Sequence, residues 1–302
     1  MANPLDPSEL FKHVDDSTEF HFPRAFTSHE AHGHVPIPQP FKLDKPLIEM
    51  HTGNELIDNT IKPMDLTITK FMVLEVAIAL IISLLFIGLA AHIKGGKLAR
   101  GKIWNLLEVF LLYIRDQVAR PCIGEHDADR FVPYLWTLFL FVLGCNLMGM
   151  IPWMGSPTGA LATTAALAMT TFLVVVISGS KQLGVVGFWK AQVPHMDLPK
   201  PIAVLLIPLI FVIEILGLFI KHGVLAVRLL ANMMAGHVVL SVLLAFIGAS
   251  AVAGQAIWGG VTVASVLGAT ALSLLELFVA FLQAYIFTFL SALFIGAAVH
   301  PH

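Results

Sequence analysis

The chain has 302 residues, of which 57% are hydrophobic and only 13% are charged, and its mean hydropathy is +0.82. Soluble domains carry about 25% charged residues, so this composition argues against a soluble domain and indicates an integral membrane protein. The formal net charge of −2 provides no basic surface for nucleic acid, and the two cysteines show no metal-ligand spacing and no disulfide framework.

The first part of the chain, residues 1–65, is polar and rich in proline and histidine. We expect it to form an extramembranous leader ahead of a membrane domain at 66–302. His29, His32 and His34 are residue types that bind metals, but the surrounding proline and glycine leave them unorganised. The composition therefore favours a solvated, partly extended tail, and no metal site is predicted.

Five apolar stretches are long enough to cross a bilayer. They lie near residues 71–91, 131–152, 158–178, 199–250 and 256–299. Lysine and arginine concentrate in residues 94–102 and return after the third span, so the positive-inside rule predicts that both loops are cytoplasmic. The N-terminus is then outside the membrane and the C-terminus is in the cytoplasm.

Residues 101–120 separate the first two spans and are mixed in polarity. Lys102, Asn105 and Glu108 recur at helical spacing, and Arg115 follows two helical turns after Glu108. This pattern predicts an amphipathic helix on the cytoplasmic face. The predicted fold class is therefore an all-α integral membrane protein with about five spans and one amphipathic helix.

The last two apolar stretches are each more than twice as long as an upright span requires. Each either breaks into two helices or forms one long, strongly tilted helix. Pro201 and Pro208 lie near the start of the first stretch, and no later proline interrupts it. This favours two long tilted helices joined around "ASAVAGQAIWGG".

The first of these helices carries a polar stripe. Glu214, Lys221 and Arg228 recur every seven residues and share one face. Asn232 continues the Arg228 side at i+4, whereas His237 points to roughly the opposite side. In the second helix Glu276 and Gln283 are also seven residues apart, so both helices carry polar groups on an otherwise apolar surface.

Charges at membrane depth need a reason, because each costs at least ~2.5 kcal/mol without a partner or water. One interpretation is structural: the pairs Glu214–Lys221 and Arg228–Glu276 only lock the helices together. The other is an ion path, in which carboxylates, histidines and water relay protons past a fixed arginine.

These residues carry a resemblance to a known family. "AVRLLANMMAGH" resembles the signature helix of subunit a of the rotary F-type ATP synthase, and "FLQAYIFTFLSALFI" is similar to that family's last helix. "CNLMGMIP" followed by "SPTGALATTAALA" resembles its second span and the turn into the third. The resemblance covers about residues 65–299.

The resemblance also implies site residues. Arg228 matches the family's essential stator arginine, Gln283 the glutamine that faces it, and Asn232 the asparagine one turn on. His237 and Glu276 match an acid–histidine pair, here in reversed order. His237 and Glu276 would line the channel on the outer side, with Glu214 as a weaker candidate there. The remaining implied positions on the path are Lys221, His222 and Tyr285, although His222 stands where proline is common in the family.

The implied function is that of a proton-conducting stator subunit with two aqueous half-channels. Its implied partners are a ring of small hairpin (c-type) subunits with buried carboxylates, and peripheral-stalk (b-type) subunits. The sequence has no phosphate-binding loop, so we expect a non-catalytic subunit without a cofactor. The absence of a transit peptide favours a bacterial plasma membrane. The alternatives are a secondary cation transporter and a purely structural membrane subunit.

Overall fold

The computed structural model describes residues 16–21, 34–39, 67–93, 101–151, 154–192 and 200–300. The cluster residues His29 and His32, and the basic residues at 94–100, lie outside this part of the chain. The strands are β1 Glu19–His21 and β2 His34–Pro36. The helices are α1 Lys70–Ile93, α2 Lys102–Tyr113, α3 Arg120–Ile123, α4 Ala128–Gly149, α5 Leu161–Leu183, α6 Val185–Ala191, α7 Lys200–Ser250 and α8 Gln255–Val299.

Five of the described helices, α1, α4, α5, α7 and α8, are long and apolar enough to cross a membrane. This confirms the predicted all-α membrane fold with five spans. Boundaries differ by a few residues: α4 begins at Ala128, inside the predicted polar loop, and α5 begins at Leu161 after a 3₁₀ turn at Pro157–Gly159. Hydropathy marks where a segment is apolar, whereas helices also include polar residues at their ends.

The one departure from an all-α fold in the described residues is the antiparallel pair of β1 and β2, which lies in the leader. Asp16 and Ser17, just before β1, cap the N-terminus of α1. The Ser17 carbonyl accepts the Lys70 N–H at 2.9 Å, and the Asp16 carboxylate accepts the Phe71 N–H at 3.3 Å. The first N–H groups of a helix have no partner within it, so these contacts satisfy groups that would otherwise need water. The described piece of the leader is therefore not a free tail.

The predicted amphipathic helix is α2, which continues through a π-helical turn at Ile114–Ala119 into α3. Leu107 and Leu111 of α2 are buried, as are Ile114 and Val118 of the π-helical turn, whereas other apolar side chains of α2 stay exposed: Ile103, Leu106, Val109 and Leu112. On its polar side the Arg115 guanidinium makes two hydrogen bonds to the carboxylate of Asp129 in α4, at 2.9 and 3.1 Å.

The two long stretches are each one helix, α7 with 51 residues and α8 with 45, joined by a 3₁₀ turn at Ala251–Ala253. Gly254 closes the joint with φ +101°, a conformation that favours glycine. At 1.5 Å per residue, 45 residues span about 68 Å, roughly twice the ~30 Å hydrocarbon core. Helices of this length fit a bilayer only when strongly tilted or when their ends leave it.

The core lies around the second half of α8, where Phe287, Ala292 and Ile295 are completely buried. Gly296 packs directly on the backbone carbonyl of Cys122, so α8 approaches α3 at a distance that no side chain would permit. By contrast, α7 and the first half of α8 keep many exposed apolar side chains. The described chain therefore leaves one long face of the α7–α8 pair open.

Candidate functional site

Arg228 is the middle residue of the apolar segment 206–250 of α7 and is only partly buried. The neighbouring face of α7, with Leu225 and Leu229, is fully buried against the bundle. Among the described residues no hydrogen-bond acceptor or carboxylate reaches the Arg228 guanidinium. The chain thus holds a permanent cation at membrane depth on a face that its own helices leave open.

One turn further on, Asn232 connects α7 to α8. Its Nδ2 donates a hydrogen bond to Oε1 of Gln283 at 2.8 Å. Gln283 is 2% exposed, and its Nε2 finds no acceptor among the described residues. The structure therefore joins two of the predicted site residues directly and leaves one buried donor available beside them.

Two turns beyond Arg228, α7 meets the carboxylate of Glu276. A Cβ atom on Gly236 would lie only 2.6 Å from Glu276 Oε1, so glycine makes room for this side chain. His237 follows Gly236, yet it makes no hydrogen bond to Glu276 in the structure. His237 Nε2 and Glu276 Oε1 are both buried and unpartnered within the described chain. Glu276 therefore lies against the residue that precedes His237, no bond joins the predicted pair within the described chain, and both groups can accept another partner.

The contacts between α7 and α8 follow one antiparallel register. Asn232 meets Gln283, Gly236 meets Glu276, and Leu243 meets Gly268. We call the first two contacts the polar seam, defined by Asn232, Gly236, Glu276 and Gln283. On α7 the residues of the polar seam, Asn232 and Gly236, follow Arg228 at intervals of four residues and therefore share its side of the helix.

A buried network behind the polar seam contains residues that the sequence analysis did not single out. Asn146 of α4 donates to the carbonyl of Ala280, which lies between Glu276 and Gln283 on α8, at 3.2 Å. Its Oδ1 accepts the Thr158 hydroxyl at 2.8 Å, and Thr158 contacts Ser156 at 2.9 Å. All three side chains are fully buried. The available signal was an asparagine and hydroxyls within uncharged, apolar surroundings.

His222 is also buried, but on the core side of α7, at 4% exposure. Its Nδ1 lies 2.8 Å from the Leu218 carbonyl, and its ring contacts those of Phe172 and Phe294. Its Nε2 has no partner among the described residues. His222 is therefore a polar residue in an aromatic setting, separate from the polar seam.

Besides His222, three more predicted site residues lie away from the polar seam. Glu214 is predicted to lie with His237 on the outer side of the path, but 23 positions of continuous helix, about 35 Å, separate the two residues. Lys221 is exposed on the open face. Tyr285, two residues past Gln283, is turned to the other side of α8, where its ring centroid lies 6.1 Å from that of Tyr113 with the rings tilted. Helical periodicity explains this, because two residues rotate a side chain by roughly 200°.

The structural interpretation required two ion pairs, and neither forms. In the described part of the chain Glu214 and Lys221 are not within 4 Å of each other, nor are Arg228 and Glu276. The charges of the stripe therefore do not hold these helices together. Nor do three or more His, Cys, Asp or Glu side chains meet in the described ranges as a metal site would require.

Fold and polar seam together define a multi-pass α-helical membrane protein whose two longest helices carry ionisable groups at membrane depth. The family model described as "ATP synthase A chain" matches residues 71–296. The chain belongs to this family.

Curated relatives agree with the family match. The chain is 42% identical over 246 residues to "ATP synthase subunit a" of Myxococcus xanthus (strain DK1622), covering 79% of this chain and 76% of that protein. It is 46% identical over 215 residues to the protein of the same name from Anaeromyxobacter dehalogenans (strain 2CP-1 / ATCC BAA-258), covering 70% and 53%. It is 38% identical over 279 residues to "ATP synthase subunit a" of Anaeromyxobacter sp. (strain Fw109-5), covering 90% of this chain and 61% of that protein. The chain thus spans less than two thirds of both Anaeromyxobacter relatives. Bacterial relatives and five apolar helices identify a multi-pass bacterial membrane protein.

Proposed function

We propose that the chain is the proton-conducting stator subunit of a rotary ATP synthase and carries no catalytic site of its own. Its partners in this proposal are a ring of c-type hairpin subunits, each with one buried carboxylate, and b-type peripheral-stalk subunits. Membership of the ATP synthase A chain family supports this assignment. Protons reach the ring through one half-channel and leave through the other, and their passage turns the ring.

The observation that carries the proposal is the unpartnered Arg228 on the open face of α7. A guanidinium at membrane depth requires a counter-charge or water, and the described chain supplies no carboxylate to it. A carboxylate on a neighbouring subunit meets this need. The open face of α7 and α8 is long enough to accept such a subunit.

Arg228 separates the two half-channels by stabilising the ionised form of a passing carboxylate. A protonated carboxylate is neutral and can face lipid, whereas an ionised one cannot do so at acceptable cost. Next to Arg228 the ionised form is favoured, so the proton is released there to the exit path. Arginine suits this role because its guanidinium stays protonated.

The outer half-channel in this proposal contains Glu276 and His237, with the Asn146 network behind them. Both groups of the acid–histidine pair have buried, unpartnered atoms that can exchange protons through water. Glu214 and Lys221 lie on the opposite side of Arg228 along α7 and belong to the inner path. With five spans and basic residues between α1 and α2, the N-terminus is outside and the C-terminus cytoplasmic.

The decisive experiment replaces Arg228 in the assembled complex. Arg228→Ala is expected to abolish ATP-driven proton pumping while the complex still assembles, and Arg228→Lys to restore little. Arg130→Gln is the matched control, because Arg130 is an exposed arginine at the start of α4.

The rival functions predict other results. A purely structural subunit loses stability in Arg228→Ala but keeps coupled pumping. A secondary transporter conducts protons without any rotary partner. For the acid–histidine pair, exchanging His237 and Glu276 is expected to retain more pumping than either single replacement, and an additive loss in the exchanged variant contradicts their pairing.

A further inference from the structure

A cavity of about 620 Å³ opens between α1, α2 and α4. Its apolar wall includes Leu89 and Ala90 of α1, Leu111 of α2 and Trp136 of α4. The Trp136 ring is held in place because its Nε1 donates to the Leu111 carbonyl at 2.8 Å. A volume of this size is typical of sites that bind small molecules.

The lining of this cavity also includes three charged side chains: Glu108, Arg115 and Asp129. Arg115 and Asp129 neutralise each other through two hydrogen bonds at 2.9 and 3.1 Å. Glu108 makes no hydrogen bond or ion pair with any other described residue. The cavity lining therefore offers one carboxylate without a partner among the described residues and one guanidinium that keeps further N–H donors.

The backbone around Arg115 is unusual as well. The chain changes from α- to π-helix directly after Tyr113, and Arg115 lies within the π-helical turn Ile114–Ala119. Single π-helical turns inside α-helices frequently mark functional sites. A charged side chain from such a turn in the lining of an apolar cavity points to a ligand with one polar end.

We propose that this cavity binds a zwitterionic aminophospholipid of the ethanolamine type. One acyl chain lies along the apolar wall, because the medium around these helices is lipid. The ammonium group of the head group contacts Glu108, and its phosphate accepts a hydrogen bond from Arg115. An anionic lipid fits less well, since the free Glu108 carboxylate repels its negative head group. The site is independent of the proton path at the polar seam.

Lipid retention by the purified ATP synthase complex tests this proposal. The complex is reconstituted in nanodiscs that contain equal amounts of phosphatidylethanolamine and phosphatidylglycerol, then extracted mildly, and the retained lipids are quantified by mass spectrometry. Phosphatidylethanolamine is expected to be enriched. Glu108→Gln is expected to reduce this enrichment about fivefold or more, as the loss of a charge-assisted hydrogen bond implies. Glu125→Gln, an exposed glutamate outside the cavity, is the matched control.

A second variant tests the cavity itself. Ala90→Trp fills the cavity from its apolar wall and is expected to lower retention of this lipid without affecting assembly of the complex. The proposal is overturned if phosphatidylglycerol is the enriched lipid, or if Glu108→Gln retains as much phosphatidylethanolamine as the unmodified complex. It is also overturned if a crosslinker attached to the thiol of Ala90→Cys reacts with another subunit and not with lipid.

Discussion

Gly236→Ala probes the closest contact of the polar seam. The added Cβ would lie 2.6 Å from Glu276 Oε1 and 2.9 Å from its Cδ. An ordinary contact begins at about 3.4 Å, so the carboxylate must move by nearly 1 Å. The carboxylate is the end of a flexible side chain, and it moves more easily than the helices. We therefore expect the complex to assemble, with a stability cost of about 1–3 kcal/mol at most.

The functional cost is expected to be larger than the loss of stability. Displacing a group that transfers protons by about 1 Å lowers its rate by up to roughly 100-fold. ATP-driven acidification of inverted vesicles, followed with a pH-sensitive dye, is expected to fall at least tenfold in Gly236→Ala. Shortening the acid with Glu276→Asp in the same chain restores room and is expected to recover part of the pumping.

The matched control lies on the same helix pair. At Gly268 an added Cβ would meet Leu243 at 3.7 Å, an ordinary van der Waals contact. Gly268→Ala is therefore expected to pump normally. If Gly236→Ala pumps as well as Gly268→Ala, then the position of the Glu276 carboxylate does not matter for proton transfer, and the proposed outer path is wrong.

Three further predictions follow from other contacts. A double-mutant cycle of Asn232→Leu and Gln283→Leu, measured by unfolding of the complex, is expected to give a coupling of about 0.6 kcal/mol, and a coupling of zero would show that their hydrogen bond does not form. Gly296→Ala is expected to prevent stable assembly, because its Cβ would overlap the Cys122 backbone carbonyl, which cannot rotate away; an unchanged melting temperature refutes this. Burial raises the pKa of the Cys122 thiol, so at pH 8 less of it is ionised than in the unfolded chain. In a Cys145→Ala background, alkylation of folded Cys122 is expected to be slower than in urea and to accelerate as pH rises; equal rates at pH 8 contradict this.

Several features were predictable because they depend on short stretches of chain. Apolar runs of sufficient length identify membrane spans whatever they pack against, and the spacing of prolines already favoured unbroken α7 and α8. Likewise, Arg228 can be singled out from the sequence, because it is a charged residue in a long apolar stretch and charge at membrane depth is costly. The boundaries of α4 and α5 were less accurate, since polar end residues extend or shorten a helix without changing its apolar centre.

Other features depend on which side chains face each other across the bundle. The family resemblance implied Glu214 and Tyr285 as path residues, but the length of α7 and the rotation of α8 place them away from the polar seam. The hydrogen bond between Asn146 and Ala280 joins residues 134 positions apart. No local pattern contains that contact.

From its sequence alone this protein is determined to be a five-span helical membrane protein with one arginine at membrane depth, because hydrophobicity and charge act on each segment separately. Only the tertiary structure decides that Asn232 bonds to Gln283, that Gly236 makes room for Glu276, and that Arg228 has no carboxylate from the described chain. The physical reason is that these relationships arise from the register and rotation of packed helices, which depend on contacts between distant segments.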